Sequence, residues 1–134
     1  MIKNEAGAAI IRIFLGATFF IHGLAKFQGG IDNTATFFES LGLPGFTAYV
    51  VALIELLGGL ALVLGIGTKI VSILIAIIML VATFKVKLAG GFLGNGQGAG
   101  FELDLALLTM AIFLVVTNKS SLALDNVLFR SREA

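Results

Sequence analysis

Cysteine is absent from this 134-residue chain, histidine and proline occur once each, and only 13% of the residues are charged. Without cysteine there is no disulfide, no thiolate metal site, no iron–sulfur ligation and no covalent attachment of haem. With His22 as the sole histidine, haem held by two histidines of one chain is excluded as well. The formal net charge is +1 and no basic tract occurs, so nothing in the chain is suited to nucleic acid. What fills the chain instead is apolar. Hydrophobic residues make up 58% and the mean hydropathy is +1.06, far outside the range of soluble domains. The chain reads as an integral membrane protein whose first partner is the lipid bilayer.

Four apolar runs stand out: Ala6 to Phe27, Phe46 to Ile66, Ile70 to Phe84 with an extension to Leu88, and Leu103 to Thr117. Each approaches the roughly 17 to 25 residues a helix needs to cross the hydrocarbon, the fourth at the short end. The expected architecture is an all-α membrane protein, an antiparallel bundle of four transmembrane helices forming one domain over residues 1–134. Gly23-Leu24-Ala25 has the look of a signal cleavage site, but Arg12 interrupts the apolar core, so the first run reads as a retained span. Lys3, Lys69, Lys119, Arg130 and Arg132 fall on one side and Lys26, Lys85 and Lys87 on the other. By the positive-inside rule this predicts a multi-pass protein of the cell membrane with both termini in the cytoplasm.

Between the first two runs, Asp32-Asn33-Thr34 signals a helix start, and Gly42-Leu43-Pro44 follows Thr36 to Leu41 as a stop. A short interfacial helix is expected there. Gly67-Thr68-Lys69 is so brief a link that the second and third helices must be antiparallel neighbours. Ala89 to Gly100 reads as a flexible glycine-rich loop without the ending of a phosphate loop, and the tail after Asn118 as a short amphipathic or frayed helix.

Glu55 lies at the middle of the second run. An ionised side chain at the bilayer centre costs about 2.5 to 3.5 kcal/mol, whereas each Leu, Ile, Phe or Val returns only about 0.3 to 0.6. It stands roughly nine residues from either end, about 14 Å of rise, too deep for a glutamate to reach water. Either it is a protonated carboxyl hydrogen-bonded for packing, or it titrates or pairs with His22 or Arg12 across the bundle. Gly58 and Gly59, about one turn further along, form a notch for another helix.

On the first helix Arg12, Gly16, Phe19, His22, Gly23 and Lys26 fall within an arc of about 120°, a stripe expected to face the bundle interior. His22 and Lys26 are one turn apart and can act on one ligand, although a lone histidine can equally be a packing residue. Arg12 and Lys26 stand near the ends of their span, where long cationic chains snorkel to the interface without any other role; the same holds for Lys85 and Lys87. Glu102 and Asp104 open the fourth run, where acidic residues suit the helix dipole. They point about 200° apart, so at most one faces inward, and whichever does is expected at the level of His22, Lys26, Lys85 and Lys87, making a buried polar cluster in the outer half of the bundle.

In order and spacing these residues resemble the DoxX family. The likeness rests on Arg12-x-x-x-Gly16, His22-Gly23-x-x-Lys26, Leu41-Gly42-Leu43-Pro44, Glu55-x-x-Gly58-Gly59 with Gly65, and Gly100-Phe101-Glu102-Leu103, and runs from about Arg12 to about Val116. The resemblance implies a four-helix membrane protein carrying an oxidoreductase label, connected through related subunits with thiosulfate:quinone oxidoreduction and with oxidative-stress systems. Arg12, His22, Lys26, Glu55, Gly58, Gly59 and Glu102 match the family pattern. Asp104 is added on topology alone.

The function expected is therefore a membrane oxidoreductase component, quinone-linked, with no covalently bound cofactor and no metal. Reducing a quinone takes two protons with the electrons, so a lipid-accessible pocket needs donors to the carbonyl oxygens and a proton route. His22 and Lys26 would be donors, with Arg12 as a further ligand-binding cation, Glu55 the deep proton carrier, and Glu102 or Asp104 the entry. Electrons would come from a bound substrate, another redox subunit or a soluble redox enzyme. The alternative is a non-catalytic module: a proton or small-solute pathway, or a scaffold recruiting a redox enzyme.

Overall fold

The computed structural model describes residues 2–87, 91–93 and 101–117, and these are helical with no strand among them. Helix α1 (Ile2–Gln28) begins earlier than the first apolar run because Lys3, Asn4 and Glu5 are acceptable in an exposed first turn; Glu5 there and Lys26 in the last turn both suit the helix dipole. Helix α2 (Ile31–Ser40) follows Gly30, whose φ of 93° turns the chain away from α1. Helix α3 (Phe46–Leu64) and helix α4 (Thr68–Ala82) are joined by a link as short as expected but two residues earlier, at 65–67 and not Gly67-Thr68-Lys69, because Thr68 and Lys69 already belong to the first turn of α4. Gly65, at φ 78°, donates its N–H to Leu62 O at 3.1 Å, and Ile66 donates to Ala61 O at 2.8 Å, which is a Schellman ending. Gly67, at φ 58°, then starts α4.

The third apolar run does not continue as a regular α-helix to Leu88. After Ala82 the chain makes a single π turn, Thr83–Lys87, in which Thr83 is buried and its hydroxyl donates to Met79 O at 2.8 Å; Leu88 lies outside the described residues. The π turn shifts the helical phase, so angular offsets reckoned at 100° per residue do not carry through Lys85 and Lys87. Helix α5 (Glu102–Val116) follows, its start tied back where Phe101 N donates to Gly91 O at 3.2 Å and the Phe92 and Phe101 rings meet edge to face at 5.4 Å. Most of the expected glycine-rich loop and the whole tail after Asn118 lie outside the described residues.

Among the described residues, three helices are long and apolar enough to cross a membrane, Lys3–Gln28, Phe46–Leu64 and Thr68–Lys85. The fourth run does form a helix, but its 15 residues rise only about 22 Å against a hydrocarbon thickness of about 30 Å. The expected short helix between the first two runs is present as α2.

The helices pack as two pairs. Helix α1 lies antiparallel against α3, with α2 beside them, and α4 packs chiefly on α5. The first pair meets backbone to backbone. A Cβ placed on Gly16 would sit 2.6 Å from Gly59 O and 2.8 Å from Val63 N, and one on Gly23 would sit 2.5 Å from Leu56 N. Between the pairs, Leu15, Phe19 and Leu62 meet Ile75, Met79, Leu107, Leu108, Ala111 and Leu114 in one buried cluster.

Candidate functional site

The close approach of α1 and α3 fixes which polar groups can meet. Gly16 lies against Gly59 and Leu62, and Gly23 against Ala52 and Leu56, so Glu55 sits about one turn further along the pair than the level of Lys26. Side chains tilt toward the N-terminus of their own helix. In this antiparallel pair Lys26 and Glu55 therefore lean toward each other, and Lys26 Nζ comes to 2.6 Å from Glu55 Oε1. The contact has the distance of an ion pair without the angle of an aligned hydrogen bond. Glu55 is 4% exposed at its side chain and Lys26 25%.

This corrects two expectations. The partner of Glu55 is Lys26, neither His22 nor Arg12, and Lys26 does not snorkel away from the bundle. Arg12 does not snorkel either: it is fully buried, and its Nε donates to Leu62 O at 2.9 Å. Leu62 is seven residues along α3 from Glu55, about 10 Å, which puts the guanidinium beyond reach of the carboxylate. Arg12 braces the end of α3, supplying a cation where the dipole is negative and a second donor to the Leu62 carbonyl, which also accepts from Gly65. Replacing it with lysine removes the rigid planar fork while keeping the charge. Arg12→Lys is expected to lower stability by about 1–3 kcal/mol, read as a lower thermal midpoint in mild detergent.

A cavity of about 730 Å³ lies between the two helix pairs, with α2 closing a third side. Its lining follows helical periodicity from each element: Phe19, His22 and Lys26 from α1; Thr34, Phe37, Phe38 and Leu41 from α2; Thr47, Val51 and Glu55 from α3. Ile78, Ala82 and Lys85 come from α4 and the π turn, and Leu103, Asp104 and Leu107 from α5. His22, Lys26, Glu55, Lys85 and Asp104 thus border one space. His22 sits at the margin of the α1 stripe, exposed, with its ring 6.2 Å from that of Phe19. Asp104 is buried, whereas Glu102 is exposed and does not border the cavity. The side chain of Lys87 lies outside the described residues.

Sequence reasoning missed Asn33, Thr34 and Thr47 as lining residues. The signal for α2 was present, since Thr34, Phe37, Phe38 and Leu41 are spaced i, i+3, i+4, i+7 on one helical face. Helix α2 is also tied down by Tyr49, whose hydroxyl donates to Asp32 Oδ1 at 2.5 Å. No group of three or more histidine, aspartate or glutamate side chains suited to a metal ion exists among the described residues.

A large apolar space with a few polar side chains at one end is the usual form of a small-molecule site. The DoxX family model matches residues 7–88, a segment that carries the α1/α3 contact, the Lys26–Glu55 pair and three walls of the cavity. The chain belongs to the DoxX family. Among relatives of this DoxX protein, the Bacillus subtilis protein named "Putative oxidoreductase CatD" is 43% identical over 129 residues, covering 96% of this chain and 92% of the relative. The Escherichia coli "Inner membrane protein YqjF" is 26% identical, covering 93% and 94% of the two chains. An uncharacterized membrane protein of Mycobacterium tuberculosis is 29% identical, covering 92% and 82%. No solved structure matches the chain.

Proposed function

We propose that this DoxX protein is a component of a quinone-linked oxidoreductase of the cell membrane, with α5 as a short fourth span, α2 at the interface and both termini in the cytoplasm. The observation that carries the reading is the Lys26–Glu55 pair at the edge of an apolar cavity of about 730 Å³. The oxidoreductase description of the Bacillus subtilis relative supports it. The residues present fit a quinone: apolar walls for the ring, and His22, Lys26, Asn33 and Thr34 as donors for two carbonyl oxygens. When bound, the quinone supplies a two-electron, two-proton acceptor.

The chain's own residues bind, orient and hold protons. The ammonium of Lys26 carries three protons, of which Glu55 engages at most one, leaving others to hold a carbonyl oxygen. His22, one turn earlier at the margin, is placed to hold the second. Glu55, the anionic partner of Lys26 away from bulk water, is placed to take up a proton and pass it on, and Asp104 on the facing helix offers a second carboxylate toward the outer side. Electrons come from a reduced substrate bound by the assembly or from a partner redox subunit.

Ultraviolet titration of the purified protein with decylubiquinone is expected to show saturable binding. Glu55→Gln and His22→Ala should each weaken it roughly tenfold, the size of one lost hydrogen bond to a charged or polar group. Glu102→Gln, exposed and outside the cavity lining, should leave it unchanged. Absence of binding together with proton leak in liposomes would replace this reading with a proton pathway built on the same buried pair.

A further inference from the structure

The cavity has a mouth, and its position is informative. Phe37 on α2 and Ile77 and Val81 on α4 line the cavity and are at the same time 48%, 53% and 44% exposed. A side chain that bounds a cavity while facing outward marks its rim; His22, Asn33, Lys85 and Leu103 mark one part of it, and Phe37, Ile77 and Val81 mark an apolar stretch between α2 and α4, which form no extensive packed interface with each other. Ile77 is nine residues from the start of α4, about 14 Å of rise, and the apolar span runs on eight residues beyond it to Lys85. A hydrocarbon layer about 30 Å thick is therefore centred near Ile77, and the α4 side of the mouth opens onto acyl chains.

We infer that the cavity is loaded sideways from the bilayer, between α2 and α4, by a tailed amphiphile. Its acceptor-oxygen head reaches the Lys26–Glu55 pair while its chain stays among Phe37, Ile77 and Val81. The inference rests on reading the cavity as the ligand site, and it adds a route and a ligand class: the tail is a condition of entry, and water-soluble head groups alone are poorly admitted. A tailed quinone and a lipid-derived carboxylate share this chemistry, and the experiment separates them.

The chain contains no tryptophan, so one introduced on the cavity wall is the sole indole reporter. Phe19→Trp replaces a wall residue that is 1% exposed, and Val51→Trp serves if that variant does not fold. In liposomes, dibromostearate and decylubiquinone are expected to quench the reporter saturably, whereas aqueous iodide and tail-less p-benzoquinone do not. Adding Ile77→Phe with Val81→Phe, which narrows the rim on exposed positions, should weaken quenching roughly tenfold, while Leu80→Phe, exposed on α4 and off the cavity, should not. Quenching by dibromostearate without decylubiquinone keeps the route and removes the quinone reading; quenching by both supports both. Failure of both amphiphiles, or quenching by iodide and p-benzoquinone that the narrowed rim does not change, overturns the lateral route.

Discussion

Lys26→Met is expected to cost about 3–5 kcal/mol of stability, the penalty for leaving one member of a buried ion pair behind. Glu55 is the member left behind, 4% exposed and nine residues from either end of α3, with no path by which a glutamate reaches the interface. The reverse substitution, Glu55→Met, should cost clearly less. Lys26 is two residues from the end of α1, is 25% exposed, and has a long stem that can carry its ammonium toward the headgroups once the carboxylate is gone. The double variant Lys26→Met/Glu55→Met should return close to the parent, because an apolar pair of similar shape replaces the charges without orphaning either. Thermal unfolding in mild detergent of all four proteins gives the coupling directly. Additive losses would mean that the two side chains do not hold each other, and the site as described would not exist.

Gly59→Leu should remove most of the folded protein, and Gly58→Ala should not, although the two glycines are neighbours. A Cβ on Gly59 would press on the backbone of Phe20 and Gly16, and no rotamer change relieves a clash with backbone. The helices would have to part along the whole seam, which loses more than the about 1–3 kcal/mol of ordinary overpacking. On Gly58 the nearest atom is Val71 Cγ1 at 3.1 Å, a side-chain methyl that can yield. Fluorescence-detected size exclusion after expression separates the outcomes. Equal behaviour of the two variants would show that α1 and α3 are not in backbone contact.

The helices were legible because hydropathy speaks through local periodicity: the runs from Phe46 and Ile70 form helices as the sequence predicts, with the reversal between them two residues earlier than Gly67-Thr68-Lys69. Glu55 was legible as a group in need of a partner because burial energetics apply wherever the helix lies. Its partner was not, since choosing Lys26 over His22 or Arg12 depends on the register of α1 against α3 and on the lean of two side chains toward each other. Arg12 faces inward with its stripe, as the sequence predicts, but its contact was not legible for a related reason. Proximity to the end of a span says nothing about a carbonyl, that of Leu62, brought alongside by another helix. The π turn at Thr83–Lys87 was not legible, being a departure from regular geometry that no hydrophobic pattern announces.

Two kinds of joint hold this bundle, and they differ in slack. Where α1 crosses α3, main chains touch at Gly16, Gly23 and Gly59, and nothing there can compress or rotate out of the way. Across from them, α4 and α5 rest on methionine, leucine and isoleucine, whose rotamers can rearrange at modest cost. Breathing that widens the space for a guest therefore falls to the elements outside that seam, α2, α4 and α5, while the α1/α3 half stays still and keeps its two charges in register.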